Sequence, residues 1–298
     1  MRNKWFAVLL LIFIFSLFAF ACSPAQQPAN FTDDLGRNVR IDKVPQRIVS
    51  LSPSNTEIIY ALGLEDKLVG VTTFDDYPEA AKSKPKVSEY SKVDIEQVVS
   101  VQPDLVLADD IHKSTTIPAL EKLGITVIAI FPSSLERTLK GINLIGEATG
   151  KAREAAQLTD DLQKRIKAVS DKTASIAVKP RVLLVTWHDP IWTAGSGTIL
   201  DEVISNAGGT NIASDLTGHK TMDLESIVQR NPDVILVMTG MGEGEDLPYQ
   251  WVLSEPRLKS ISAVSKGRVY RIDTNIFGRT TPRLIDGLEQ LAGIINLK

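Results

Sequence analysis

Two distant stretches of the chain carry nearly the same pattern: DIEQVVSVQPDLVLA at 94–108 and DLESIVQRNPDVILV at 223–237 align without a gap. Asp94/Asp223, Glu96/Glu225, Val99/Val228, Pro103/Pro232, Asp104/Asp233 and Leu107/Leu236 are identical, and most other pairs are similar apolar residues. Each copy reads as one supersecondary unit. An aspartate caps a short helix by accepting a backbone N–H of its first turn. Pro-Asp then ends the helix and turns the chain, and the apolar run enters a sheet. A unit used twice constrains the whole architecture. Two related halves are expected, each built around such a helix–strand step.

The flanking segments keep that rhythm. FTDDLGRNVRI reads as a hairpin turning at Leu35–Gly36, and Arg47 to Pro53 as a short strand. Ser54 with Glu57 makes a capping box, so a helix is expected from Ser54 to a stop at Gly63. Strands KLVGVT, DLVLAD and ITVIAI then alternate with helices over 94–102 and 116–123. Further on come strand RVLLVTW, a helix over 199–206 closed by Gly208–Gly209, a helix over 223–230, and strands DVILVM and RVYRID. PRLIDGLEQLAGIINL supplies a last amphipathic helix. Short apolar strands alternating with helices predict an α/β fold with mainly parallel, Rossmann-like sheets, and 298 residues suffice for two lobes.

Residues 151–173 break the alternation. Ala155, Leu158, Leu162, Ile166 and Val169 recur at helical spacing among many charges, without Gly or Pro. Such a helix is a rod of roughly 30 Å, long enough to join two lobes. The expected organisation is a lobe over 31–150, a rigid connecting helix over 151–173 and a second lobe over 174–298, with the ligand cleft between the lobes.

The first residues are a targeting segment. Arg2 and Lys4 precede an apolar run from Trp5 to Ala21, broken only by Ser16 and followed by Cys22 and SPAQQPAN. A secretory signal ending in small residue–cysteine is similar to a bacterial lipoprotein signal, over 1–21, with Cys22 lipidated and 22–30 a tether; an uncleaved membrane anchor is the alternative. Both place the remaining chain outside the cytoplasmic membrane. Cys22 is the only cysteine, so the fold has no intrachain disulfide. The formal net charge of −3 and the interspersed charges offer no basic face for nucleic acid.

Catalytic signatures are missing: there is no G-x-S-x-G elbow and no P-loop, and His188–Asp189 supplies no nucleophile. This argues against an enzyme. His112, His188 and His219 are the only histidines, and none has metal-motif spacing. All three fall in predicted cleft loops, as candidate axial ligands to a heme or cobalt centre. The repeat places Glu96 and Glu225 in the first turns of equivalent helices. There each carboxylate either complements the helix dipole or meets a partner with two-fold symmetry.

With these features in place, the chain resembles the iron-siderophore and cobalamin class of periplasmic binding proteins of ATP-binding-cassette importers. The resemblance runs from about Pro45 to the end. It rests on PQRIVSLSPSNTEIIYALGLEDKLVGVT, VDIEQVVSVQPDLVLA and GRVYRIDTNIFGRTTPRLIDGLEQLA. It implies a monomeric solute-binding lipoprotein with two lobes on a rigid helix. It also implies that Glu96 and Glu225 dock against the two subunits of a permease dimer coupled to ATPase subunits. A carrier or sensor without a permease is the competing class.

Loops at the carboxyl ends of the strands should line the cleft. They hold Phe74, Tyr77, Tyr90, Trp187, Trp192 and Phe277, whose flat faces suit a broad planar ring. Core packing is the competing role, and it weighs most for Tyr77 and Trp192. TTFDDYP and VSEYS are similar to the cobalamin-binding branch, where Phe74 and Tyr90 align with aromatics that face the corrin. Asp109 and Lys220 stand where that branch can carry tryptophan. Arg279 is a candidate partner for a ligand phosphate or carboxylate, and Arg283 reads as structural. The implied ligand is a corrinoid, with a ferric siderophore or heme as the alternative, and no resident cofactor.

Overall fold

The computed structural model describes residues 29–240 and 246–296. The signal segment and Cys22 lie outside the described residues. The first half contains β1 (Ala29–Thr32), β2 (Asn38–Ile41), β3 (Ile48–Ser50), β4 (Leu68–Thr72), β5 (Lys86–Ser88), β6 (Leu105–Ala108) and β7 (Val127–Ala129). β3 to β7 form one parallel sheet in the order β5-β4-β3-β6-β7. Its central strands are buried along their length, as expected where helices cover both faces. β1 and β2 are the predicted antiparallel hairpin, turning through Gly36 at φ +74°. The hairpin begins at Ala29, inside the segment expected to be tether, because Ala29 and Asn30 pair with Ile41 and Arg40.

The second half contains β8 (Arg181–Val185), β9 (Trp187–His188), β10 (Ile191–Ala194), β11 (Thr210–Asn211), β12 (His219–Thr221), β13 (Val234–Thr239) and β14 (Val269–Asp273). Four of them make a parallel sheet in the order β11-β8-β13-β14. A small antiparallel sheet, β12-β10-β9, lies outside the sequence-based expectation. The fold is two-domain α/β with parallel sheets.

The repeat is visible down to the backbone. β6 lies between β3 and β7, and β13 between β8 and β14. The helices Ile95–Ser100 and Leu224–Arg230 precede them. Asp94 caps the first by accepting the Gln97 N–H at 3.0 Å, and Asp223 caps the second by accepting the Ser226 N–H at 2.7 Å. The paired aspartates after the prolines do equivalent work. Asp104 accepts the Gln46 and Arg47 N–H groups, both at 2.8 Å, and Asp233 accepts that of Arg181 at 2.9 Å. Each aspartate thus fixes the entry of the neighbouring strand. Between helix and proline, Gln102 and Asn231 occupy matched positions with φ of 47° and 42°, and among the described residues they are the non-glycine positions with positive φ.

The helix Ala152–Ala174 has 23 residues, a span of roughly 34 Å. It packs against the helices Leu135–Thr149 and Arg283–Ile295. Gly146 lets the first of these approach closely, since a Cβ there would strike the Ala155 methyl group. Arg165 ties it to the second through Glu289, at 2.7 and 2.9 Å. One apolar cluster runs from Phe31 through Leu162 to Ile295, so the two halves share core along these helices.

Some elements differ from expectation. The helix Leu135–Thr149 was not predicted, although Ser134 caps it and left-handed Gly150 closes it. Neither β5 nor the helix Leu247–Ser254 was expected. The helix Pro53–Ala61 starts one residue before Ser54, with Pro53 in its first turn and Ser52 at the N-cap, where no side chain makes a capping bond. The expected capping box is therefore absent. Glu57 is buried instead and faces the other lobe.

Candidate functional site

The carboxyl ends of the parallel strands meet the second lobe in an open groove of ≈ 490 Å³. From the first lobe come Ser52–Ser54 after β3, Phe74 after β4, Tyr90 after β5, Asp109 and Asp110 after β6, and Phe131–Ser133 after β7. Gly278–Thr280 close it from the second lobe. This is where an open α/β sheet places a ligand. The lining residues after β3 and β7 were missed in the sequence, although the strand-end rule that found Phe74, Tyr90 and Asp109 also covers them.

Phe74, Tyr90 and Asp109 are each held in place by hydrogen bonds of the strand-end loops. Phe74 stays 58% exposed, held on a turn in which Thr72 Oγ1 accepts its N–H at 3.2 Å and buried Asp75 accepts the Thr72 N–H at 2.8 Å. Tyr90 and Asp109 share one strut, the buried ring of His112. The Asp109 N–H donates to His112 Nδ1 at 2.9 Å, and His112 Nε2 lies 2.7 Å from the Tyr90 carbonyl. A backbone N–H can only donate and a carbonyl can only accept, so the ring is neutral with its proton on Nε2. Burial also lowers its pKa. Both nitrogens are committed, which rules His112 out as an axial ligand.

Burial and the adjacent Asp110 push the Asp109 carboxyl up to about 7. Burial, followed by the nearby Asp109 charge, raises the Tyr90 hydroxyl well above its ordinary value. Both groups therefore favour their neutral forms more than exposed counterparts do.

Arg279 reaches the groove but is already engaged. Its guanidinium donates to Asp76 at 2.6 Å, Glu57 at 3.0 Å and Asn275 at 2.8 Å. Arg283 donates to Glu57 at 2.8 Å and stacks over Tyr77, 3.8 Å from the ring centroid. Glu57 and Asp76 belong to the first lobe and both arginines to the second. The cluster is thus an ionic clasp across the interface, with Glu57 at 4% exposure as its centre. Its sequence signal was Glu57 three residues after Ser54, read there as a cap.

The remaining sequence candidates separate. Phe277 is corrected: at 2% exposure it sits in the shared core against Gly287, because TNIF coils into a short helix that turns the ring inward. It does not present its face to the groove. Trp187 and Lys220 lie on the antiparallel sheet of the second lobe and are not among the residues lining this cavity. His188 sits between Trp187 and Trp251, with ring centroids at 5.0 and 6.0 Å, and its Nδ1 is buried without a partner. His219 is exposed on β12. Among the described residues, no group of three or more His, Cys, Asp or Glu side chains is placed to hold a metal ion. Glu96 and Glu225 are both exposed on the first turns of their equivalent helices, with Arg257 3.6 Å from Glu225.

Comparison with known proteins agrees with this geometry. The family model described as periplasmic binding protein matches residues 48–276. An uncharacterized ABC transporter substrate-binding lipoprotein of Bacillus subtilis is 38% identical over 272 residues, covering 89% of this chain and 84% of that protein. The periplasmic vitamin B12 binding protein of Vibrio cholerae superposes with a TM-score of 0.73 at 26% identity, covering 85% of this chain and 97% of that one. The apo form of a periplasmic heme-binding protein from Roseiflexus sp. RS-1 gives 0.74 at 28%, with coverages of 84% and 97%. By the span of the family match and by the likeness to the Bacillus relative, this chain belongs to the periplasmic binding protein family.

Proposed function

We propose that this protein captures a bulky metal chelate, a corrinoid foremost, in the groove between its lobes and delivers it to an ATP-binding-cassette permease. The observation that carries this reading is the groove itself. It opens at the strand ends of the first lobe and presents an exposed phenylalanine and a fixed tyrosine. A flat macrocycle gains most from such faces, through area burial and stacking. Relatives that support it include the cobalamin-binding protein of Halobacterium salinarum, 29% identical over 280 residues. Calorimetric titration with cobalamin, dicyanocobinamide, heme and ferric siderophores tests it. Saturable binding of a corrinoid supports the reading, and exclusive binding of a siderophore or heme replaces it with the alternative chelate.

Delivery is assigned to Glu96 and Glu225. They stand exposed at equivalent sites of the two repeat units, a pairing suited to a permease dimer with a two-fold axis. Removing both carboxylates (Glu96→Ala with Glu225→Ala) should abolish uptake while leaving chelate affinity intact; unchanged uptake contradicts the docking role. Anchoring by lipidated Cys22 outside the cytoplasmic membrane, action as a monomer and the lack of catalysis complete the reading. Metabolic labelling with a fatty-acid probe, lost in Cys22→Ser, tests the anchor.

A further inference from the structure

The groove's charge is unlike that of a receptor for anionic ligands. Its one lining cation among the described residues, Arg279, is held by two carboxylates, Asp76 at 2.6 Å and Glu57 at 3.0 Å, and by the Asn275 amide oxygen. Glu57 also holds Arg283. Arg279 therefore cannot meet a ligand carboxylate without leaving partners that span the lobe interface. From the first lobe the groove is also lined by Asp109 and Asp110, and no basic side chain among the described residues of that lobe lines it. The groups packed around Asp109 do not neutralise it. Tyr90 is a hydroxyl, His112 is neutral with both nitrogens bonded, and Asp110 adds a like charge while its N–H donates to Asp109 Oδ1 at 2.7 Å, which leaves Oδ2 to face a ligand donor.

We propose that Asp109 sets the ligand's charge class, so that the groove takes chelates whose rim carries amides or cations and rejects chelates whose rim carries carboxylates. This rests on the corrinoid reading and sharpens it. A primary amide offers two N–H donors, and a carboxylate acceptor satisfies them at the point where a ligand carboxylate would meet like charge. In a partly buried groove that repulsion is screened far less than at an open surface. Burial leaves Asp109 with a pKa of about 7, so at pH 8 the repelling form predominates.

Two corrins that share the ring and differ in amidation isolate the effect: dicyanocobinamide, with its amide side chains, and dicyanocobyrinic acid, with free carboxylates. Calorimetry at pH 8 on the intact chain should show the amide form binding at least about tenfold tighter, which is about 1.4 kcal/mol. Asp109→Asn should bring the ratio below about threefold, chiefly by improving the acid form, and Asp109→Glu should retain it. A residue that only shaped the groove would weaken both ligands together and leave the ratio unchanged. An unchanged ratio in Asp109→Asn, or equal binding of both corrins by the unaltered chain, overturns the proposal while the corrinoid reading stands. If neither corrin binds, the corrinoid reading fails and this inference falls with it.

Discussion

Glu57 shows how far a residue's role depends on what reaches it. Its place in SPSNTE suggested a helix cap, and local sequence offers no reason to look further. Two arginines more than 200 positions away decide its function, and contacts of that separation leave no periodic trace. Replacing Glu57 by Gln should leave Arg279 and Arg283 half-buried without their shared counter-charge. The expected loss is about 3 kcal/mol, read as a lower urea midpoint with an unchanged slope. Phe74→Ala serves as control, since its ring is exposed and should cost little stability while weakening chelate binding. Asp109 makes a second prediction. Its carboxyl is raised in the fold, so its contribution is fully present below the ordinary carboxylate range and is lost as pH rises through about 7. Asp109→Asn should therefore raise the melting temperature at pH 8 relative to the unaltered chain, and give no such gain at pH 4. Equal shifts at both pH values contradict the assigned cause.

The repeated helix–strand unit was the most legible element. Its caps, its Pro-Asp turns and its buried strands follow directly from residue types at fixed offsets. The unlike residues between the copies carry a test. Gln102 and Asn231 both sit at positive φ, where an L side chain is strained and Gly is not. Gln102→Gly should therefore stabilise the chain by about 0.5–1 kcal/mol. Asn tolerates this region better, and Asn231 Oδ1 also accepts the Ser262 N–H at 2.7 Å. Asn231→Gly should then be neutral or destabilising. Matching effects at the two sites would count against this account of the turn.

Elements that were not legible share a cause. The β5 strand is three residues long, and the antiparallel β9 and β10 are defined by pairing with each other and with β12 rather than by an apolar period. The helix Leu135–Thr149 carried both a cap and a stopping glycine but followed a run of strand-like residues, and its buried face packs chiefly on the connecting helix, with lesser contacts to the helices Pro53–Ala61 and Ile199–Asn206 and to β1. In the site, strand-end logic located Phe74, Tyr90 and Asp109. Phe277 obeyed the same logic and failed it, because a single helical turn rotates its ring into the core.

At the scale of the molecule, the two lobes are joined by more than a hinge. They share one apolar cluster, the long helix packs on helices either side of it, and Glu57 clasps both arginines across the interface. Closure on binding should be small, with the radius of gyration from small-angle scattering changing by less than about 1 Å on saturation with dicyanocobinamide. Glu57→Gln should enlarge that change. A large contraction of the unaltered chain would show that the clasp does not fix the lobes.

The central claim is that the chelate sits between the lobes, and the cobalt of a corrinoid reports its own position. Crystals of the chain grown with dicyanocobinamide, measured at the cobalt absorption edge, should give one anomalous peak in the groove bounded by Phe74, Tyr90 and Arg279. A cobalt peak anywhere else on the protein, in crystals where the corrinoid is bound at full occupancy, would contradict the account.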